Sequence, residues 1–167
     1  VPGEELEDFY ELAAIATVGD VMDLQGENRI LVKEGLKRLK NTRNPGLREL
    51  IRVNGLEDSK ITAYHVGFVL GPCINASGRL DTAARSLALL NAENQDEAAK
   101  LAGDLTALNQ SRKSLTEEGK EAAIHQVENT DLKDDRVLVI YLPDCHESIA
   151  GIIAGRIREN IISRLLC

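Results

Sequence analysis

The sequence predicts a mostly helical chain that ends in the first strand and helix of an α/β unit, and three observations carry that prediction. Apolar residues recur at helical spacing through nearly all of its 167 residues. A long stretch, 96–127, contains neither proline nor any strong break. Only one short run, "RVLVIYL", has the β-branched enrichment and length of a buried strand.

The elements follow in order. Residues 4–16 place Leu6, Phe9, Tyr10, Ala13 and Ala14 at helical spacing, and Gly19 interrupts them just before Asp20. Residues 27–40, "ENRILVKEGLKRLK", repeat apolar positions at Ile30, Leu31, Leu36 and Leu39 with lysines between, an amphipathic surface helix. "NPGLRELI" restarts a helix after Pro45, and "SKITAYHVGFVLGP" carries a largely apolar helix that Gly71-Pro72 should stop. Asp81 is the expected N-cap of "TAARSLALL". From Asp96 to Val127 the pattern predicts one helix of about 30 residues, near 45 Å long at 1.5 Å per residue. "NTDLKDD" breaks it, "RVLVIYL" follows as a buried strand, and "HESIAGIIAGRIREN" follows as a helix. There is no internal repeat and no low-complexity segment.

Composition narrows the function classes. A formal net charge of −7 with 3% aromatic residues argues against a chain that is basic throughout and wraps nucleic acid. It leaves room for a local basic site, or for carboxylates that bind metal. Cys73, Cys145 and Cys167 are widely spaced and odd in number, which argues against a disulfide framework or zinc knuckle and suits a reducing cytoplasm. No run reaches the roughly 20 apolar residues of a membrane span, so no membrane partner is expected. Val1 opens no signal peptide, and "VPGEELEDFYELAAIATVGDVMDL" reads as a domain entered partway through.

Three constellations could carry chemistry. In "ATVGDVMDL", small residues lead to Asp20 with Asp23 nearby, and carboxylates leaving an apolar segment are good ligands for Mg²⁺ or Mn²⁺. On spacing alone, an Asp capping the turn or the next helix is the commoner outcome. In "GPCINASGRL", Gly71, Pro72 and Gly78 suggest a shaped loop in which Asn75, Ser77 and Arg79 offer donors to a phosphate oxygen. Asn75 and Arg79 could equally tie that loop to neighbouring helices. In "DCHESIAGIIAGR", Asp144, His146, Glu147 and Ser148 fall at a strand-to-helix turn, where free N–H groups favour anions; a cap at Asp144 or His146 is the commoner result. Gly151 and Gly155 suggest close helix packing, and His65 and His125 read as structural or solvated.

In this order, "ATVGDVMDLQGENRILVKEGLKRL", "GFVLGPCINASGRLDTA" and "PDCHESIAGIIAGRIRE" resemble the middle of RecJ-type single-strand-specific 5′→3′ DNA exonucleases, members of the DHH phosphoesterase superfamily. The resemblance runs to Glu159. It implies that residues 1–92 are the C-terminal helical part of a DHH α/β domain, 93–130 a long interdomain helix, and 131–167 the start of a DHH-associated domain. It implies that Asp20 is a ligand in a two-ion Mn²⁺ or Mg²⁺ site, and therefore catalytic. Asn75 and Arg79 become contacts to DNA phosphate, as does His146, with Ser148 beside it. The implied substrate is single-stranded DNA with a 5′ end, in repair and recombination, with a repair helicase and a single-strand-binding protein as partners.

Departures accompany the matches. The DxD and Asp-His-His motifs that supply most metal ligands in the superfamily are absent, so the chain alone is expected to be inactive. Many relatives have Arg where Cys73 stands and Trp where Cys145 stands. After "GRIRE" relatives continue much like "KYNKPTIV", whereas this chain reads "NIISRLLC". Deleting one base from an A-run in codons for Glu-Lys-Tyr-Asn-Lys-Pro-Thr-Ile-Val yields Glu-Asn-Ile-Ile-Ser-Arg-Leu-Leu-Cys, which is residues 159–167. Residues 160–167 are thus expected to be a frameshift product that extends the helix or packs poorly. Two other readings are a DHH-family phosphodiesterase for oligonucleotides or cyclic dinucleotides, and a non-catalytic helical scaffold. Upstream DxD and Asp-His-His motifs would separate the enzymes from the scaffold.

Overall fold

A computed structural model describes residues 9–130, 132 and 137–165, with side chains described as far as residue 160. The described residues are mostly helical and contain no strand. Two compact units emerge, Val1–Asn109 and Gln110–Cys167.

The first unit begins with α1 (Phe9–Gly19) and α2 (Gly26–Leu39). They meet through Gly35, where an added Cβ would fall 2.2 Å from the Tyr10 carbonyl oxygen and 2.4 Å from the Ala14 Cβ. Only glycine allows that crossing. Thr42 donates a hydrogen bond to the buried Glu11 carboxylate, and Arg38 lies 5.3 Å from the centre of the Tyr10 ring. Residues 4–8 of the expected first helix lie outside the described residues.

α3 (Pro45–Val53) starts as "NPG" predicts: the Asn44 side chain accepts from the Leu47 N–H at 2.9 Å, and Pro45 occupies the first turn, where no N–H is needed. The same Asn44 amide donates to the Leu90 carbonyl at 2.7 Å, which ties α3 to α6 (Ala84–Leu90). Leu47, Leu50, Leu70 and Leu89 are fully buried with Leu105 in one core. Each such side chain stabilises the fold by roughly 1.5–3 kcal/mol.

The run from 63 to 80 overturns one expectation. Gly71-Pro72 does not stop the helix: α4 (Ala63–His65) passes through a π turn (Val66–Leu70) directly into α5 (Gly71–Leu80). Proline removes one N–H and crowds the carbonyl four residues back. Here the Gly71 N–H reaches back five residues to the Val66 carbonyl, which widens the turn ahead of Pro72. A Cβ at Gly71 would stand 2.8 Å from that same oxygen, so the wide turn needs glycine. "GPCINASGRL" is therefore a helix and not a shaped loop. His65 is structural, as expected: its Nδ1 accepts from the Thr62 N–H at 3.1 Å in a reciprocal cap.

Asp81 is not the cap of α6. That helix begins after Ala83, and Asp81 instead pairs with Arg85 at 2.6 Å, while Arg85 also reaches Asp104 at 3.2 Å. The long helix is α7 (Gln95–Glu128), 34 residues or about 51 Å, opened by the Asn94 side chain accepting from the Glu97 N–H.

In the second unit α8 (Glu147–Leu165) buries Ile149, Ile153 and Ile157, one face at spacings of four, against Ala123. The close contact comes through Gly119, whose added Cβ would meet the Ile153 Cδ1 at 2.4 Å. Gly151 and Gly155 face open space, contrary to expectation, because they lie on the side of α8 away from that isoleucine stripe. The "RVLVIYL" segment is not a buried strand. Among the described residues it has no ladder partner: Val137, Val139 and Tyr141 are exposed, whereas Leu138, Ile140 and Leu142 are half-buried. The alternation of a strand is present and its hydrogen-bonded neighbours are not. Arg136 lies outside the described residues. α8 continues to Leu165, in line with a tail that extends the helix; side chains beyond 160 and Cys167 lie outside the described residues.

Candidate metal-ligand turn and nucleic-acid face

α1 ends in a tight reverse that presents Asp20. The Met22 N–H donates to the Thr17 carbonyl at 3.0 Å and the Val21 N–H to the Val18 carbonyl at 3.1 Å, the paired bonds of a Schellman termination. That termination puts the residue after the cap in the left-handed region, normally as glycine. Here it is Val21, with φ +55. A β-branched residue there is strained, by about 1–2 kcal/mol from Cβ crowding. Strain of this kind gathers at functional sites, and it fixes Asp20 as the exposed C-cap of the helix.

Asp20 thus sits at the turn that ends α1, the turn reading weighed from sequence, although its carboxylate caps no N–H among the described residues. A carboxylate at the negative end of a helix dipole is electrostatically disfavoured. The next helix, α2, is preceded by Gln25 at its N-cap and not by Asp20. The Asp20 side chain makes no hydrogen bond or ion pair among the described residues, and neither does that of Asp23. A hard, unpaired oxygen donor at a rigid turn fits a divalent cation. It is one ligand only: the described residues hold no group of three His, Cys, Asp or Glu side chains able to bind a metal.

The second group lies along the helical run from 63 to 80. Val18, at the end of α1, comes within 3.5 Å of where a Cβ on Gly67 would be, which sets the Asp20 turn beside this run. Asn75 and Arg79 are exposed at a spacing of four residues, on the side opposite the buried Cys73, Ala76 and Ser77. Ser77 is committed to packing: its hydroxyl meets that of Ser86 at 2.7 Å, and Ser86 donates to the Ile74 carbonyl at 2.6 Å. Cys73 is fully buried between the Asn54 and Asn109 side chains, so the position where many relatives have Arg contributes no exposed donor here.

Sequence reasoning missed two residues on the same run. Tyr64 and Phe68 are 64% and 68% exposed and stack on each other, with ring centroids 4.9 Å apart. The available signal was two aromatics four apart in a chain with only five. Their apolar surroundings read instead as core.

In the second unit His146 and Ser148 come together. The imidazole Nδ1 and Ser148 Oγ are 2.7 Å apart, and the Ser148 N–H reaches Nδ1 at 3.3 Å. His146 thus caps α8, the alternative weighed from sequence, and both side chains sit at the end where backbone N–H groups point outward.

These observations bear on the comparisons with known proteins. No family model matches the sequence. The chain is 37% identical over 159 residues to the single-stranded-DNA-specific exonuclease RecJ of Dickeya dadantii, and 37% identical over 159 residues to that of Escherichia coli; each alignment covers 93% of this chain. A crystal structure of exonuclease RecJ bound to manganese superposes with a TM-score of 0.83 at 36% identity, over 93% of this chain. Over most of its length the chain is similar in sequence and in fold to a segment of RecJ. It spans 28% of the length of those two curated RecJ proteins and 39% of that solved RecJ chain. A Thermus thermophilus RecJ solved in complex with Mn²⁺ matches with a TM-score of 0.80 at 35% identity. The helical fold expected from the resemblance stands with RecJ.

Proposed function

We propose that this chain is the part of a RecJ-type nuclease that supplies one metal-ligating carboxylate and one strand-following helix face for hydrolysis of phosphodiesters in single-stranded DNA, from the 5′ end. The Asp20 turn carries the proposal. A valine forced to φ +55 holds an unpaired carboxylate outward, and relatives of the same segment are crystallised with Mn²⁺ or Mg²⁺. Asp20 would hold one such ion. Two bound ions supply an activated water and neutralise charge on the scissile phosphate.

The chain's other residues bind and orient. Asn75 would donate its amide and Arg79 its guanidinium fork to successive phosphates. Tyr64 and Phe68, beside them, would stack against bases. From Tyr64 to Arg79 the run extends roughly 20 Å, long enough for several nucleotides, which favours a DNA strand over a cyclic dinucleotide. His146 and Ser148, at the start of α8, would receive a phosphate from the second unit, within the boundaries 1–92, 93–130 and 131–167 expected from sequence. The intact protein would work in the cytoplasm in repair and recombination, alongside a helicase and a single-strand-binding protein. By itself the chain would be inactive, because it brings a single ligand.

A chimaera tests this reading: the matching segment of Escherichia coli RecJ is replaced by residues 9–159, and Mn²⁺-dependent digestion of 5′-labelled single-stranded DNA is measured. Asp20→Ala should reduce the rate by about a thousandfold or more with helicity unchanged. A chimaera whose Asp20→Ala variant digests DNA at the parent rate would overturn the assignment.

A further inference from the structure

His146 and Ser148 receive a phosphate together in the reading above, and the geometry divides the work between them. The imidazole Nδ1 meets Ser148 twice, at 3.3 Å from its backbone N–H and at 2.7 Å from its Oγ. A backbone N–H can only donate, so Nδ1 is the bare, accepting nitrogen of the ring. The hydroxyl can donate or accept, and beside a bare Nδ1 it donates. A neutral imidazole carries one proton, which this arrangement places on Nε2.

No other side chain holds the ring among the described residues. Glu118 and Asp144 line the same cavity of about 270 Å³ as His146, yet neither carboxylate bonds the imidazole. A carboxylate at Nδ1 would have drawn the proton to that nitrogen instead. Nε2 has no partner among the described residues, and the side chain is exposed. The other two histidines frame the comparison. His65 is held in the same two-point way, with Nδ1 3.1 Å from the Thr62 N–H and 3.0 Å from the Thr62 Oγ1. His125 is exposed, and its ring makes no hydrogen bond among the described residues.

We infer that Ser148 is a positioning residue: it fixes His146 as the tautomer protonated on Nε2 and stops the ring from turning, so that one unclaimed N–H is kept for a phosphate oxygen. An unrestrained histidine divides among two tautomers and several rotamers, and binding weakens in proportion to the fraction that is not competent. Ser148 removes that loss before the ligand arrives. The use of the N–H on phosphate rests on the role proposed for His146 above; the tautomer does not.

Long-range ¹H–¹⁵N correlation spectra of the 167-residue chain carrying ¹⁵N-histidine test the assignment. His146, identified by its loss in His146→Gln, should show an unprotonated Nδ1 and a protonated Nε2, as His65 should, whereas His125 should show averaged shifts. Ser148→Ala should bring His146 to averaged shifts and leave His65 as it is, with the helical circular dichroism unchanged; Ser148→Thr should restore the fixed tautomer. In the RecJ chimaera, Ser148→Ala should raise KM for single-stranded DNA about threefold with kcat unchanged, and Ser148→Thr should return it to the parent value. A protonated Nδ1 in the parent chain, or a tautomer that Ser148→Ala does not shift, would overturn the inference. So would a KM that His146→Gln raises and Ser148→Ala leaves alone. A KM unmoved by either substitution, with the tautomer shifting as expected, would uphold the tautomer and sink the phosphate role of His146.

Discussion

The two compact units bury their apolar residues in different ways. In the first, Leu47, Leu50, Leu70, Leu89 and Leu105 converge from four helical elements, and every one of them is fully buried. In the second, the buried set is a single isoleucine stripe on α8 with Ala123, and the neighbouring segment 137–142 keeps alternate side chains in water. The first unit has a core closed on all sides; the second has half of one. An extended segment without a ladder and a helix with one buried face leave the second unit with the smaller core. Most of the chain's intrinsic stability should therefore reside in the first unit.

Substitutions rank that contrast. Leu50→Ala should have the largest effect, a loss of about 3–5 kcal/mol, because its neighbours on every side prevent collapse of the cavity; urea denaturation followed by circular dichroism measures it. Ile153→Ala should cost about 2 kcal/mol, since the stripe borders an open groove that can relax. Equal losses for the two would break the comparison. Amide hydrogen exchange sharpens it: residues 137–142 should exchange without protection while 47–51 are among the slowest.

Smaller effects probe the special backbone positions. Val21→Gly should stabilise the chain by about 1 kcal/mol by removing left-handed strain, while lowering activity in the RecJ chimaera as the Asp20 turn loosens. Unchanged stability would mean that the strain is absorbed elsewhere. Gly151→Ala should stabilise by about 0.5–1 kcal/mol, seen as a small rise in Tm, because its added methyl meets open space. A loss there would place Gly151 in a contact, contrary to the geometry.

Which features were legible in sequence follows from whether the signal is local. α7 was read to within a residue at each end because 32 unbroken helix-compatible positions leave no alternative. Asp20 was singled out through its surrounding sequence, but the termination that presents it was not legible, since Val21 stands where glycine would have announced it. "RVLVIYL" shows the period of a strand, yet pairing belongs to a neighbour and not to the segment itself. Gly151 and Gly155 define a helix side without saying whether anything faces it. Gly71-Pro72 misled because the rule that proline ends a helix assumes i→i−4 bonding in the preceding turn, and a π turn, bonded i→i−5, relaxes that assumption.

That wide turn behaves like a dislocation in a crystal, one extra residue inserted in an otherwise regular lattice. Such defects can migrate, because each hydrogen bond handed to the next residue moves the bulge one step along the helix. Here it is pinned at both ends. Pro72 has no N–H to accept the transfer on one side, and on the other the Thr62–His65 cap terminates the lattice three residues before the defect begins. The bulge cannot glide. Glide of the bulge would change the helical phase between the stacked rings of Tyr64 and Phe68 and the exposed Asn75 and Arg79, so pinning it keeps the two pairs in one register, like marks on a ruler.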